Sequence, residues 1–198
     1  MNLAKLFELQ RQLDEHIEKE HPRQEGEDRL AKKILALFVE LGELCNCWRG
    51  FKYWSNNQKP KGVVYETCKY CEGRKMLGFR LETCWYCGGT GLQVVERPLL
   101  EEYVDCLHFI LSIGLDITDP ELIELREIDK AETITEQFIM IFDAVGELYE
   151  FEYEHWDYES LLIKFVDLGE MLGFTWKQIE EAYLRKNAVN HQRQEMGY

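Results

Sequence analysis

Glu40 and Glu43 stand three residues apart inside the apolar run ILALFVELGEL, and Glu102 and Asp105 repeat that spacing inside LLEEYVDCLHFIL. On a helix, residues three apart are neighbours on one face. Four carboxylates converging between packed helices repel one another unless a cation neutralises them. Hard oxygen ligands at helical spacing suit Mg²⁺ or Mn²⁺, which keep several waters and lean on substrate phosphates. A second set lies near the C-terminus. Lys186, Asn190 and Arg193 fall at i, i+4 and i+7, one stripe of a helix, with Tyr183 a turn earlier. Two cations and an amide on one face suit a polyphosphate. Acids that hold a metal and a basic stripe that takes the remaining phosphate charge divide the work of phosphoryl chemistry between them.

A third set is built from sulfur. CKYC (68–71) and CWYC (84–87) place Cys68, Cys71, Cys84 and Cys87 as two knuckles, a spacing that binds structural Zn²⁺ through four thiolates. Glycines at 73, 88, 89 and 91 supply the tight turns. The other three cysteines (45, 47 and 106) lie in helical patterns and read as small buried hydrophobes.

These sets need elements to hold them. Apolar residues at 3, 6, 9, 13 and 17 predict an amphipathic helix over 3–17. A second helix over 30–48 is apolar nearly all round and is expected to be central. Residues 49–61 form a polar loop with aromatics. Pro98 opens a third helix as a first-turn residue, and Asp119-Pro120 starts a further helical segment. Helices are expected over 133–156 and 160–172. Thr175 with Gln178 makes a capping box for the last helix, from Trp176 to about Gln194. Between 62 and 97 the pattern changes to short β-rich runs, GVVYE, LGFRLE and LQVVE, around the cysteines. The fold class is therefore all-α, a helical bundle over 1–54 and 98–198, with a small β-rich zinc module inserted at 55–97. LFVELGEL (37–44) resembles IFDAVGELYEF (141–151), and LLEEYVDCLHFIL resembles LLIKFVDLGEMLG (161–173), which suggests two related helical hairpins. The second has Ala144, Glu147, Lys164 and Asp167 at the matching positions and cannot hold a metal the same way.

Net charge is −14, which repels nucleic-acid backbones and anionic membranes. No leader-like segment and no membrane-length apolar run is visible, so a soluble cytoplasmic protein is expected. The insertion reverses the balance. From 59 to 97 it carries seven basic and four acidic residues, +3 before a zinc site contributes −2, and the remainder is −17. A nearly neutral module bearing Tyr70, Phe79, Trp85 and Tyr86 leaves room for a protein or nucleic-acid partner, although the main reading needs neither.

The combination of LFELQRQLDE, ELGE, FKYW, EEYVDCLHFILS and YLRKNAVNHQRQEMGY resembles the dimeric all-α dUTPases, relatives of the MazG-type nucleotide pyrophosphatases. The resemblance implies a Mg²⁺-dependent pyrophosphatase that splits a nucleoside triphosphate, dUTP above all and dUDP with it, by water attack on phosphorus. It implies that Glu40, Glu43, Glu102 and Asp105 hold the metal, with Glu40 or Glu43 activating the water. Gln10 and Asp14 match positions near the nucleoside. The family often has Asn where Asp14 stands, which leaves another base open. Lys52 and Trp54 match a loop that closes over substrate, and Tyr183, Lys186, Asn190 and Arg193 match substrate contacts. A homodimer is implied as well. The insertion lies outside the resemblance. The competing reading is a non-enzymatic protein that uses the zinc module to bind a partner on the same scaffold.

Overall fold

The computed structural model describes residues 2–78, 81–124, 130–150 and 155–197. Six helices form the body: α1 (Leu3–Glu20), α2 (Arg29–Trp48), α3 (Pro98–Ile117), α4 (Ile134–Glu150), α5 (His155–Met171) and α6 (Trp176–Glu195). Asn2 caps α1 by accepting from the Lys5 amide, and Asp28 caps α2 by accepting from that of Ala31. Pro98 occupies the first turn of α3, where its missing N–H leaves no bond unmade. Thr175 and Gln178 close the expected capping box on α6.

Helix α3 is the central element, packed against α1, α2, α5 and α6. Eleven of its twenty residues are buried, most of them apolar, and its Asp105 and Asp116 line a groove. Sequence periodicity assigns that place to α2 instead. Helix α2 packs mainly on α3 and α4, and its Leu35 and Val39, four residues apart, stay 65% and 54% exposed. The helix expected over 133–156 is divided: α4 ends at 150, and α5, which starts at 155 rather than 160, packs back along it. Residues 151–154 lie outside the described residues. The sequence between 147 and 156 has no Pro or Gly to mark the end of a helix. Asp119-Pro120 starts only a 3₁₀ turn, Pro120–Leu122.

Helices α2 and α3 pack as one hairpin and α4 and α5 as another. Two tyrosines lock α3 to α5. Tyr103 donates its hydroxyl to the Phe165 carbonyl at 3.0 Å, and Tyr158 donates to that of Ile110 at 3.1 Å. Each ring lies over a glycine on the opposite helix. A Cβ on Gly169 would sit 2.6 Å from the Tyr103 hydroxyl, and one on Gly114 would sit 2.2 Å from that of Tyr158. Only glycine admits these rings.

The insertion holds two antiparallel ribbons. β1 (Val64–Thr67) pairs with β4 (Leu92–Glu96), with an irregularity between Val64 and Tyr65; β2 (Met76–Leu77) pairs with β3 (Glu82–Thr83). Strands thus form in all three β-rich runs, while Phe79 and Arg80 of LGFRLE lie outside the described residues. Almost all the strand residues are exposed. The buried centre of this segment is Cys68, Cys71 and Cys84, with Leu77 and Cys87 packed against them. Such a segment has too little apolar area to order itself.

Candidate active site

Helices α2 and α3 bring their acids to one wall of a groove of about 990 Å³. Carboxylate oxygens of Glu40, Glu102 and Asp105 all lie within 4.8 Å of one another. Glu43 lines the same groove but stays outside that cluster and is exposed. Burial, together with Asp105, Glu43 and Glu102, pushes the Glu40 carboxyl up to about 7. Burial and the neighbouring Glu43 and Asp105 also raise Glu102. Asp105 is raised by burial against the opposing pull of Lys186 and Arg193. Burial leads each of these shifts, and repulsion between the acids adds to it at Glu40 and Glu102.

Oxygens around a Mg²⁺ at about 2.1 Å stand some 3–4 Å apart. Three half-buried carboxylates with oxygens this close, raised first by burial and at Glu40 and Glu102 by repulsion as well, fit a hard divalent cation. Lys186, on α6, supplies the positive charge seen beside them: its ammonium lies 2.6 Å from Asp105 Oδ2. Asn190 and Arg193 line the groove beyond it, so three of the four residues on the predicted α6 stripe face one space.

Tyr183, the fourth, does not line the groove. It is fully buried, stacked on His108 with ring centroids 4.1 Å apart. Its hydroxyl donates to Gln10 Oε1 at 2.7 Å. His108 Nδ1 lies 2.8 Å from the same oxygen, which can only accept, so Nδ1 carries the imidazole proton. His108 Nε2 is then a bare acceptor, buried with no partner among the described residues. Gln10 is 3% exposed, and its amide donates to Asp14 Oδ1 at 2.7 Å. The other Asp14 oxygen accepts from Ser112 Oγ at 2.6 Å and faces Lys33 Nζ at 3.5 Å. Lys33 in turn reaches Asp116 at 2.6 Å. Gln10 and Asp14 are thus brought into the groove wall inside one polar network. Lys52 and Trp54 lie in the loop after α2 and do not line the groove. Lys52 stands 5.5 Å over the Phe51 ring, and Trp54 is 65% exposed.

Sequence reading missed Lys33, His108, Ser112 and Asp116. One signal was available: Asp105, His108 and Ser112 fall at i, i+3 and i+7, so one stripe of α3 carries polar groups in an apolar helix. In the second hairpin, Lys164 donates to Ser160 Oγ and Asp167 pairs with Lys130 at 2.9 Å, so the acid kept there already has its cation.

The four knuckle sulfurs form a second centre. Cys68 and Cys84 Sγ lie 3.9 Å apart, Cys71 and Cys87 Sγ 3.7 Å apart, and all four lie within 4.8 Å of one another. Tetrahedral thiolates about 2.3 Å from Zn²⁺ stand about 3.8 Å apart, so the geometry fits zinc. The Gly91 amide donates to Cys87 Sγ at 3.3 Å. Gly91 itself has φ +80°, and a Cβ there would meet the Gly73 carbonyl at 2.9 Å. Cys47 and Cys106 are buried, as their helical setting predicts, and burial pushes the half-buried Cys45 thiol up to about 12.

Among the described residues no helix is long and apolar enough to cross a membrane. A family model described as dUTPase matches residues 2–67 and 88–198. No curated protein matches the chain. The matched segments carry every groove residue described above and stop on either side of the knuckles: the chain belongs to the all-α dUTPase family of nucleotide hydrolases.

Proposed function

We propose that this protein hydrolyses dUTP, and dUDP with it, to dUMP in a Mg²⁺-dependent reaction. The observation that supports this most directly is the meeting of Glu40, Glu102 and Asp105 oxygens within 4.8 Å, opposite the cations of α6. Glu40, Glu102 and Asp105 would hold the metal, with Glu43 at its edge; a bound Mg²⁺ supplies charge neutralisation for the phosphates and acidifies water. Glu43 is exposed to the groove, where the other three acids are half-buried, so it suits the general base. The water oxygen bonds to phosphorus, its proton passes to the carboxylate, and the bridging P–O bond breaks. Pyrophosphate leaves from the triphosphate, or phosphate from the diphosphate. Lys186 can exchange Asp105 for a phosphate oxygen, and Asn190 and Arg193 take the rest of the chain of phosphates. Asp14, backed by Gln10 and Tyr183, bounds the nucleoside end, and the loop of Lys52 and Trp54 closes over it.

We assign residues 1–54 and 98–198 to the catalytic body and 55–97 to the zinc module, in a cytoplasmic homodimer. Exposed Leu35 and Val39 on α2, with Ile139 54% exposed on the adjacent α4, support association through these helices. Light scattering at the mass of a single 23.6 kDa chain would refute the dimer.

The test of the activity is pyrophosphate and phosphate release from a nucleotide panel with and without Mg²⁺. Release confined to dUTP and dUDP is expected. Glu43→Gln and Asp105→Asn should abolish turnover with helical content kept; full activity in both sinks the site. Release from an amino-bearing base instead would keep the mechanism and reassign the base through Asp14.

A further inference from the structure

The zinc module displays its aromatics at one place. Tyr70 sits between the first pair of cysteines, and Trp85 and Tyr86 between the second. The four sulfurs that draw the knuckles together also draw these rings together. Centroids of Tyr70 and Tyr86 are 4.5 Å apart, Tyr70 and Trp85 5.0 Å, and Trp85 and Tyr86 5.7 Å. The rings are nonetheless 44%, 72% and 43% exposed in the order Tyr70, Trp85, Tyr86. Lys69, the remaining residue between cysteines, holds its ammonium 5.3 Å from the Tyr70 centroid and 5.6 Å from that of Tyr86. No acid lies between either pair of cysteines. Lys69 and Lys75 have no carboxylate partner among the described residues, whereas Arg74 is paired with Glu72.

We propose that this platform binds single-stranded nucleic acid by stacking bases on Trp85 and the two tyrosines, with Lys69 and Lys75 contacting phosphates. Exposed rings beside unpaired cations are the combination that holds a single strand without sequence preference, each base having a π-face to stack. The charge balance admits a polyanion here: this segment carries +3 before the zinc-thiolate centre contributes −2, on a chain of net charge −14. The platform belongs to the segment that the family model leaves out, so it adds to the nucleotide chemistry of the body and does not depend on it.

Fluorescence anisotropy of a labelled oligothymidylate, with the zinc-loaded full chain at low salt, tests the proposal. Saturable binding is expected, with a log–log salt slope of about −1 to −2 for two phosphate contacts. Trp85→Ala should weaken it about ten-fold, and Lys69→Glu should weaken it further. Both variants should keep their zinc content, helical content and nucleotide hydrolysis. No binding by the unaltered protein overturns the proposal and leaves the platform to a protein partner. So does equal binding by Trp85→Ala, or binding of heparin, which has charge but no bases, as tight as that of the oligonucleotide. Equal affinity for free thymidine monophosphate would overturn the strand in favour of a mononucleotide site.

Discussion

Replacing Glu40 by glutamine should stop catalysis and stabilise the protein, two effects that seldom go together. Glu40 is drawn up from 4.5 to about 7 by burial and by three neighbouring acids. A carboxyl whose folded value lies above its unfolded one favours the fold below the unfolded value and loses that advantage as pH rises through the folded one. In Mg²⁺-free buffer, stability should therefore fall between pH 4.5 and 7 and reach a low plateau by pH 8. At about 1.4 kcal/mol per pH unit the whole rise corresponds to about 3 kcal/mol. Glu40 is not fully buried, and screening by solvent reduces this to about 1–2 kcal/mol. Glu40→Gln removes the charge and keeps the shape. Urea melts without added Mg²⁺ should show the variant about 1–2 kcal/mol more stable than the unaltered protein at pH 8, and nearly level with it at pH 4. Adding Mg²⁺ should raise the midpoint of the unaltered protein and leave that of the variant nearly unchanged. A variant less stable than its parent at pH 8 would show that Glu40 is held by a partner and that the acids are not a site strained for a cation.

Burial, and Lys186 after it, hold His108 down to about 3. Its folded value lies below the unfolded one, so stability present above pH 6.5 should fall as pH drops toward 3, and His108→Gln should flatten the urea midpoint over pH 4–7. Removal of zinc by a chelator should release one ion per chain and expose the module to protease near residue 75 while far-ultraviolet circular dichroism keeps its helical signal; loss of the helical signal would show that the body needs the metal. Gly114→Ala should destabilise by about 2–3 kcal/mol, since a methyl group would displace the Tyr158 ring and its hydrogen bond; an exposed helical glycine would instead gain about 1 kcal/mol, and a rise in melting temperature is the refuting result.

The acids of α2 and α3 were legible because a charged residue in an otherwise apolar run demands a reason, and the spacing of three supplies the face. The knuckles were legible because four sulfurs at that spacing have few other uses. The wall at Asp14 was only half legible. Lys33 and Asp116 meet across 83 positions, and no local pattern carries a pairing between helices. Tyr183 shows the limit of reading a stripe. It stands three residues before Lys186, but a helical face about 100° wide covers both the groove and the core beneath it, and an aromatic ring goes to the core. The place of α2 was misjudged for a related reason. An apolar surface suits an inner helix of one chain or a face between two chains equally well, and hydropathy does not tell them apart.

Helices slide along one another more readily than they separate, and the reciprocal tyrosines of α3 and α5 bear on that freedom. Each ring sits in a notch one residue wide, on opposite helices, so the pair acts as two pins through a sliding joint. A slip of one turn would carry α3 about 5.4 Å along its axis. Asp105, now 2.6 Å from Lys186, would leave its reach. Two hydroxyls and two missing side chains that do not line the groove thus help to hold the acids at their address. Selection for catalysis would act on glycines 114 and 169 as strictly as on the carboxylates, although neither has any chemistry of its own.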